Sequence, residues 1–266
     1  MIYSLFTIDL LYQTNSKISA ETHIPVLFFD KGSILTDSKP LILALEASAG
    51  QASAALSAGG DVLASAEMTA AHGHAAWMVT LAEDAMAKAK RSPQDLDVII
   101  GGVGPGSFTG IRVALAAAKG FGLTRSLTPV GISSLAGLAA MASDHGHPIL
   151  AVIDSRRKSY FMQLFDADLN PLSEITDGDM DTVITLIEGH QDRLQNGLML
   201  AGFDGDMIAE RLHQLGLKIE SLGAENPSAE GLIKAYQRAP QFAVAPEPLY
   251  LAPPILGPTQ KPADQR

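Results

Sequence analysis

Val98-Ile-Ile-Gly-Gly-Val-Gly-Pro-Gly-Ser-Phe-Thr-Gly-Ile-Arg-Val-Ala-Leu-Ala-Ala-Ala-Lys-Gly-Phe-Gly-Leu123 reads as a buried strand, a glycine loop and a helix, in that order. Val98, Ile99 and Ile100 make a continuous apolar run, which suits a strand covered on both faces. Gly101, Gly102, Gly104 and Gly106, with Pro105 among them, permit a tight turn and close backbone approach. Ser107 or Thr109 is placed to accept a hydrogen bond from the first free amides of the helix.

From Ile111 to Leu123 the only long polar side chains are Arg112 and Lys119. A helix apolar most of the way round is buried on most sides. Gly110, Ala114, Ala118 and Gly122 recur every four residues, while Ile111 and Leu115 lie elsewhere around the helix. A small-residue stripe lets a second helix backbone come close, by the sterics that operate between membrane helices. The expectation is a helix shared between its own sheet and a partner. A neighbouring helix is expected over about His74–Lys90, with Trp77, Leu81 and Ala85 on one face. The expected partner surface therefore comprises Trp77, Leu81, Gly110, Ile111, Ala114, Leu115, Ala118 and Gly122.

The glycine loop fails the motifs it approaches. A dinucleotide fingerprint needs its third glycine three residues after the second, but Gly110 follows Gly106 by four. No Gly-Lys-Ser/Thr is present for a P-loop, and Pro105 stands where a nucleophile elbow needs its first glycine. A strand-to-helix turn packed at an interface is the better reading than anion binding, because short glycine motifs are weak signals.

Along the chain, Leu41–Ala47 reads as a buried strand and Ala52–Ser57 as a second. Gly59-Gly60-Asp61 is a hairpin signal, and Val62–Met68 returns as a third strand. Ser92-Pro93 suits an N-cap and first helical position. Pro129–Ile132 is strand-like, Ser133–Ser143 helical, and His145–Pro148 a loop. Then the opening recurs. Pro148–Asp154 is a strand ending in an acid, Ser155-Arg156-Arg157 turns, and Ser159–Phe165 returns before a hairpin at Asp166–Pro171. Helices near Met180–Glu188, Met207–Leu215 and Ser228–Arg238 and a strand at Leu198–Ala201 complete the second copy. The repeat implies an α/β protein of two related lobes, each with a mixed sheet. The expected division is 1–40 as an extension, 41–145 and 146–251 as the lobes, and 252–266 as a flexible tail.

Of the 266 residues, 47% are hydrophobic and 18% charged, which is a globular composition. The net charge of −10 argues against a broad basic face for nucleic acid. There are no cysteines, so disulfides and thiolate chemistry are excluded and a cytoplasmic setting is expected. No run of eighteen apolar residues exists. Met1–Leu11 is apolar but lacks a positive n-region and carries Asp9, a poor signal peptide.

Gly104-Pro-Gly-Ser-Phe-Thr-Gly-Ile-Arg112 resembles the signature of the TsaB (YeaZ) family, whose members support bacterial synthesis of threonylcarbamoyladenosine at position 37 of tRNAs. Leu41–Ser48, Val130–Leu135, Ile153–Arg156 and Glu247–Leu251 agree with it too, so the resemblance runs from about Leu41 to Leu251. It implies the two-lobed, ribonuclease H-like fold of actin/hexokinase-like ATPases. It implies a non-catalytic scaffold that binds a TsaD-like catalytic paralogue, with a TsaE-like ATPase completing the complex. The chain alone would form a homodimer, and tRNA would be reached only through the complex. No membrane contact and no cofactor are expected for the isolated chain; ATP and metal are expected on the partners. The family begins at the strand here numbered Leu41, which leaves residues 1–40 without a counterpart, through an upstream misassigned start or as a mobile tail. An autonomous ATP-binding kinase or hydrolase of the same superfamily is the alternative.

In ATPases of that superfamily the first hairpin presents an aspartate and small hydroxyl residues to metal-bound phosphates. This chain has Glu46-Ala-Ser48 there. A vestigial nucleotide cleft would draw on Glu46, Ser48, Gly104, Gly106, Ser107, Asp154 and Arg156. Glu46 reaches one methylene further and would meet a metal through water; a plain polar residue at a strand end is the simpler account. Asp154 and Arg156 are an acid and a cation facing the cleft, or an ion pair ordering the second hairpin. His72 and His74 cannot share a helix face, and Ala76 and Met78 stand where the His-x-x-x-His of the catalytic paralogue would need its second ligand. No catalytic residue and no metal site is expected.

Overall fold

Leu41-Ile-Leu-Ala-Leu-Glu46 is apolar until its last residue and forms the central strand β1, buried at every position. It pairs antiparallel with β2 (Gln51–Ala58), which turns through Gly59-Gly60 into β3 (Asp61–Thr69). On its other side β1 runs parallel to β4 (Val98–Gly102), followed by β5 (Val130–Ile132), giving the order β3-β2-β1-β4-β5. The computed structural model describes residues 39–69, 74–223 and 226–251, and all of them belong to one compact unit.

The second sheet repeats the first. β6 (Ile149–Asp154) is central, antiparallel to β7 (Tyr160–Phe165) and parallel to β9 (Leu198–Gly202). β8 (Thr176–Gly178) and β10 (Ile219–Ser221) close the order β10-β9-β6-β7-β8. The helices are α1 (Met78–Lys88), α2 (Phe108–Gly122), α3 (Ser134–Ala142), α4 (Met180–Glu188), α5 (Gly205–His213) and α6 (Ala229–Arg238). Each half thus runs βββαβαβα, with one strand order. This is the two-lobed ribonuclease H-like arrangement, each lobe a mixed sheet flanked by helices.

The halves share a core. α3 and α6 lie together between the sheets, with Leu135, Leu138, Leu232 and Ile233 meeting Ile42, Ala44 and Ile100 of one sheet and Ile149, Ala151 and Met199 of the other. A Cβ on Gly231 would stand 2.6 Å from the Gly137 carbonyl oxygen, so these two helices touch where neither has a side chain. Polar ties bind the segment containing α6 to the first sheet: Ser53 Oγ accepts from the Ala229 amide at 2.9 Å, and Asn226 Oδ1 from the Gly50 amide at 3.0 Å. α1 and α2 cover the outer face of the first sheet and α4 and α5 that of the second. After α6 the chain returns to the first half, where Val244 bridges to Gly131 of β5.

Candidate functional site

The glycine loop closes on its own chain. Ser107 caps α2, its hydroxyl accepting from the Gly110 amide at 3.2 Å, and its own amide donates to the Ser48 carbonyl at 2.6 Å. A Cβ on Gly106, whose φ of +149° already disfavours one, would overlap that same Ser48 carbonyl oxygen. A Cβ on Gly110 would overlap the carbonyl oxygen of Ala47. Gly104 packs under Ile111, and its carbonyl oxygen accepts from the Ser134 amide at 2.8 Å. Backbone therefore fills the space beside the β1–β2 turn.

Glu46 lies fully inside, at 0% exposure. Its Oε1 accepts from the Ser48 amide at 2.6 Å and its Oε2 from the Ser134 hydroxyl at 2.7 Å. Burial pushes its carboxyl above the ordinary 4.5, against the lowering pull of those hydrogen bonds. A carboxylate with both oxygens engaged beneath a backbone lid does not fit the water-bridged contact with a phosphate-bound metal, the alternative weighed for Glu46. Among the described residues the buried Ser133 hydroxyl has no hydrogen-bond partner, and the hydroxyls of Ser48 and Ser133 are neutral and add no ligand charge. Among the described residues no three His, Asp or Glu side chains cluster as for a metal ion; His72 lies outside them.

Asp154 and Arg156 do reach the cleft between the halves. With Ala49, Gly50, Phe203 and Asn226 they line a cavity of about 290 Å³. Of the two alternatives for them, the ion pair does not form: Asp154 Oδ1 accepts from the Arg156 backbone amide at 2.7 Å. Arg156 holds a left-handed φ of +59° in that turn. Glu46, Ser48, Gly104, Gly106 and Ser107 do not line this cavity. Phe203 and Asn226 escaped sequence reading because Asn226 acts on Gly50, 176 residues away.

The small-residue stripe of α2 is also corrected. Gly110, Ile111, Ala114, Leu115, Ala118 and Gly122 are all buried, and Leu81 of α1 is 5% exposed. Ala114 and Ala118 pack on the sheet with Ile99 and Leu45, and a Cβ on Gly122 would stand 2.5 Å from the Leu127 carbonyl oxygen. The stripe brings α2 onto its own sheet and the loop after it, so it offers nothing to a partner.

α2 exposes Thr109, Arg112, Ala116, Lys119 and Gly120, and with Leu123 just past its end the first four are spaced three and four apart as along a helix-packing seam. Beside it α1 exposes Thr80, Glu83, Asp84, Ala87 and Lys88, with Trp77 and Val79 about half exposed at its start and Leu123 83% exposed. The polar positions of α2 at this spacing were the available signal, outweighed in the sequence by the more regular small residues.

One end of that face is braced by the C-terminal strap. The Leu249 amide donates to the Val103 carbonyl at 2.8 Å, and its side chain packs on Val103, Ile111 and Leu115. Tyr250 then stacks on Phe108, centroids 4.8 Å apart at 28°. The Arg112 guanidinium lies 3.7 Å over the Phe108 ring, and its Nε donates to the Tyr250 hydroxyl at 2.8 Å.

Comparison with known proteins follows the same lines. The family model of TsaD, tRNA N6-adenosine threonylcarbamoyltransferase, matches residues 67–235. The chain is 30% identical over 131 residues to the tRNA threonylcarbamoyladenosine biosynthesis protein TsaB of Escherichia coli K12, a match covering 48% of this chain and 56% of that one. It is 34% identical over 74 residues to the TsaB of Bacillus subtilis 168, covering 28% of this chain and 32% of that one. The matches thus span about half the first relative and a third of the second. YeaZ from Pseudomonas aeruginosa shares the fold with a TM-score of 0.61 at 21% identity, over 80% of this chain and 100% of that one. With the loop from Gly104 to Arg112 and the doubled sheet, these matches agree: the chain belongs to the TsaD-type threonylcarbamoyltransferase family and, within it, to the TsaB (YeaZ) branch.

Proposed function

We propose that the chain is a non-catalytic subunit in the synthesis of tRNA threonylcarbamoyladenosine in the cytoplasm, docking a TsaD-like catalytic paralogue through the outer face of α1 and α2. The observation that carries the non-catalytic part is the closed β1–β2 turn. Glu46 is wholly buried and engaged, and the Gly106–Gly110 backbone sits on the carbonyls of Ala47 and Ser48. The names of the curated relatives support the pathway.

Exposure and charge support the docking face. α1 offers Glu83 and Asp84 and α2 offers Arg112 and Lys119, among half-exposed Trp77 and Val79. A protein with a similar helix pair can cross these with opposite charges facing, in the geometry of antiparallel helix packing. A second copy meets that description when the paralogue is absent. In the complex, ATP hydrolysis belongs to a TsaE-like partner, metal chemistry to the paralogue, and tRNA contact to the assembly, since this chain carries a net charge of −10.

The test is reconstitution. With a TsaD-like protein and a TsaE-like ATPase, threonylcarbamoyl transfer to tRNA is expected only when this chain is present. The chain alone is expected to give no transfer and no stoichiometric ATP binding by calorimetry. Transfer at full rate without it, or tight ATP binding by it, would overturn the reading.

A further inference from the structure

We infer that Arg112 is a preset receptor for a carboxylate side chain of the TsaD-like paralogue proposed to dock on α2. The inference rests on the docking face proposed above and names the contact at its end.

An exposed arginine is ordinarily mobile, and ordering its side chain for a contact costs entropy. Arg112 is exposed yet held by two groups that also brace each other. Phe108 covers one face of the guanidinium at 3.7 Å, the Tyr250 hydroxyl takes Nε–H at 2.8 Å, and Tyr250 is itself stacked on Phe108. The strap that brings Tyr250 is fixed by the Leu249 amide on the Val103 carbonyl. Among the described residues the side-chain hydrogen bond of Arg112 is the one from Nε to Tyr250. No carboxylate among them pairs with the guanidinium; the ion pairs there are Arg125–Asp97, Lys234–Asp144 and Arg238–Asp144.

A planar guanidinium with free Nη donors and a fixed orientation is matched by a carboxylate or a phosphate, both of which it can grip with two parallel hydrogen bonds. The surroundings favour the carboxylate. Nucleic acid needs many cations along one face, and here α2 exposes only Arg112 and Lys119, while α1 adds Lys88 but also the acidic Glu83 and Asp84. The net charge of −10 would oppose a polyanion further. One acidic side chain from a docked helix meets one cation without that penalty.

The test uses the full chain, with Arg112→Ala, Arg112→Lys and Tyr250→Phe, against the TsaD-like protein and against itself by sedimentation. Circular dichroism serves as the folding control, and an unmodified tRNA transcript as the phosphate probe. Arg112→Ala is expected to weaken docking by about tenfold or more, as for loss of a positioned charge pair. Arg112→Lys keeps the charge but not the fork and should recover only part. Tyr250→Phe should fall between Arg112→Lys and the parent. The loss should shrink between about 50 and 500 mM salt, where screening tightens to a few ångströms. If the parent docks and Arg112→Ala docks equally well, the inference is wrong while the docking face stands. If the parent docks on neither protein, the face is wrong and the inference falls with it. If tRNA binding alone depends on Arg112, the site takes phosphate and the carboxylate assignment is overturned.

Discussion

The two halves run through the same eight elements, yet their first turns end differently. In each, the central strand closes on an acid whose carboxylate accepts the amide two residues on: Glu46 from Ser48 at 2.6 Å, Asp154 from Arg156 at 2.7 Å. The first acid is then sealed. Ser134 bonds its second oxygen, and the loop before α2 lays Gly106 and Gly110 against the turn. The second stays half-buried at the edge of the cleft, lined across by Phe203 from the matching loop before α5. One local motif is thus a core element in one half and a cleft wall in the other. What covers the turn decides which.

α2 and α5 show the same divergence. α2 buries eight residues, among them Gly110, Ala114, Ala118 and Gly122, whereas α5 buries only Ile208 and Leu212. The largest expected effect tests this directly. Gly110→Val puts a branched side chain into the Ala47 carbonyl, which a backbone group cannot vacate without moving β1. Overpacking of this kind costs on the order of 3 kcal/mol, and more where backbone is the obstacle. Gly205→Ala, at the start of α5, meets only the Ser221 hydroxyl at 2.9 Å, a group that can rotate aside. It should change stability by less than about 0.5 kcal/mol. Urea midpoints of the two variants that coincide would show that the halves are covered alike.

Glu46 gives the next effect, and a pH dependence. Glu46→Ala leaves the Ser134 hydroxyl and the Ser48 amide buried without their partner, a loss of about 2–3 kcal/mol. Glu46→Gln keeps an acceptor for the Ser48 amide and a group for Ser134 while removing the charge. Because burial raises the folded pKa above 4.5, the carboxyl's contribution is fully present below that value and is lost as pH rises through the folded pKa. Glu46→Gln should therefore gain on the parent as pH rises from 4 to 8. Denaturation midpoints that keep a constant gap over that range would mean the carboxylate is solvated.

Much of this was legible. Leu41–Glu46 and Ile149–Asp154 are continuous apolar runs ending in an acid, so the doubled plan could be read from spacing alone. β8 and β10 could not: Thr-Asp-Gly and Ile-Glu-Ser are three-residue edge strands whose pairing comes from their neighbours. The stripe on α2 reads as a close-approach surface shared between the sheet and a partner; it meets the sheet and the loop after it. Periodicity says which residues share a face and nothing about what lies opposite. Tyr250 on Arg112 and Asn226 on Gly50 join positions 138 and 176 residues apart, distances over which no local pattern reports.

The smallest effect belongs to the second turn and sharpens the contrast with Glu46. Asp154 is not sealed, so its carboxylate keeps solvent and its hydrogen bond to the Arg156 amide acts only on a local turn. Asp154→Ala removes that bond and leaves an amide that water can reach, so the cost should be about 0.5–1 kcal/mol, the net worth of one exposed hydrogen bond. Asp154→Asn retains the side-chain oxygen that makes the turn and should be close to neutral. Arg156 matters more to this turn than its charge suggests, since its φ of +59° relies on the turn to be held. Arg156→Gly relieves that strain but loosens the unfolded chain by a similar amount, so it too should lie within about 0.5 kcal/mol of the parent. Measured by urea at pH 7, the loss for Asp154→Ala should be well under half that for Glu46→Ala. An equal loss at the two sites would mean the cleft closes over Asp154 in solution as the glycine loop closes over Glu46, and the halves would then be alike where they here differ.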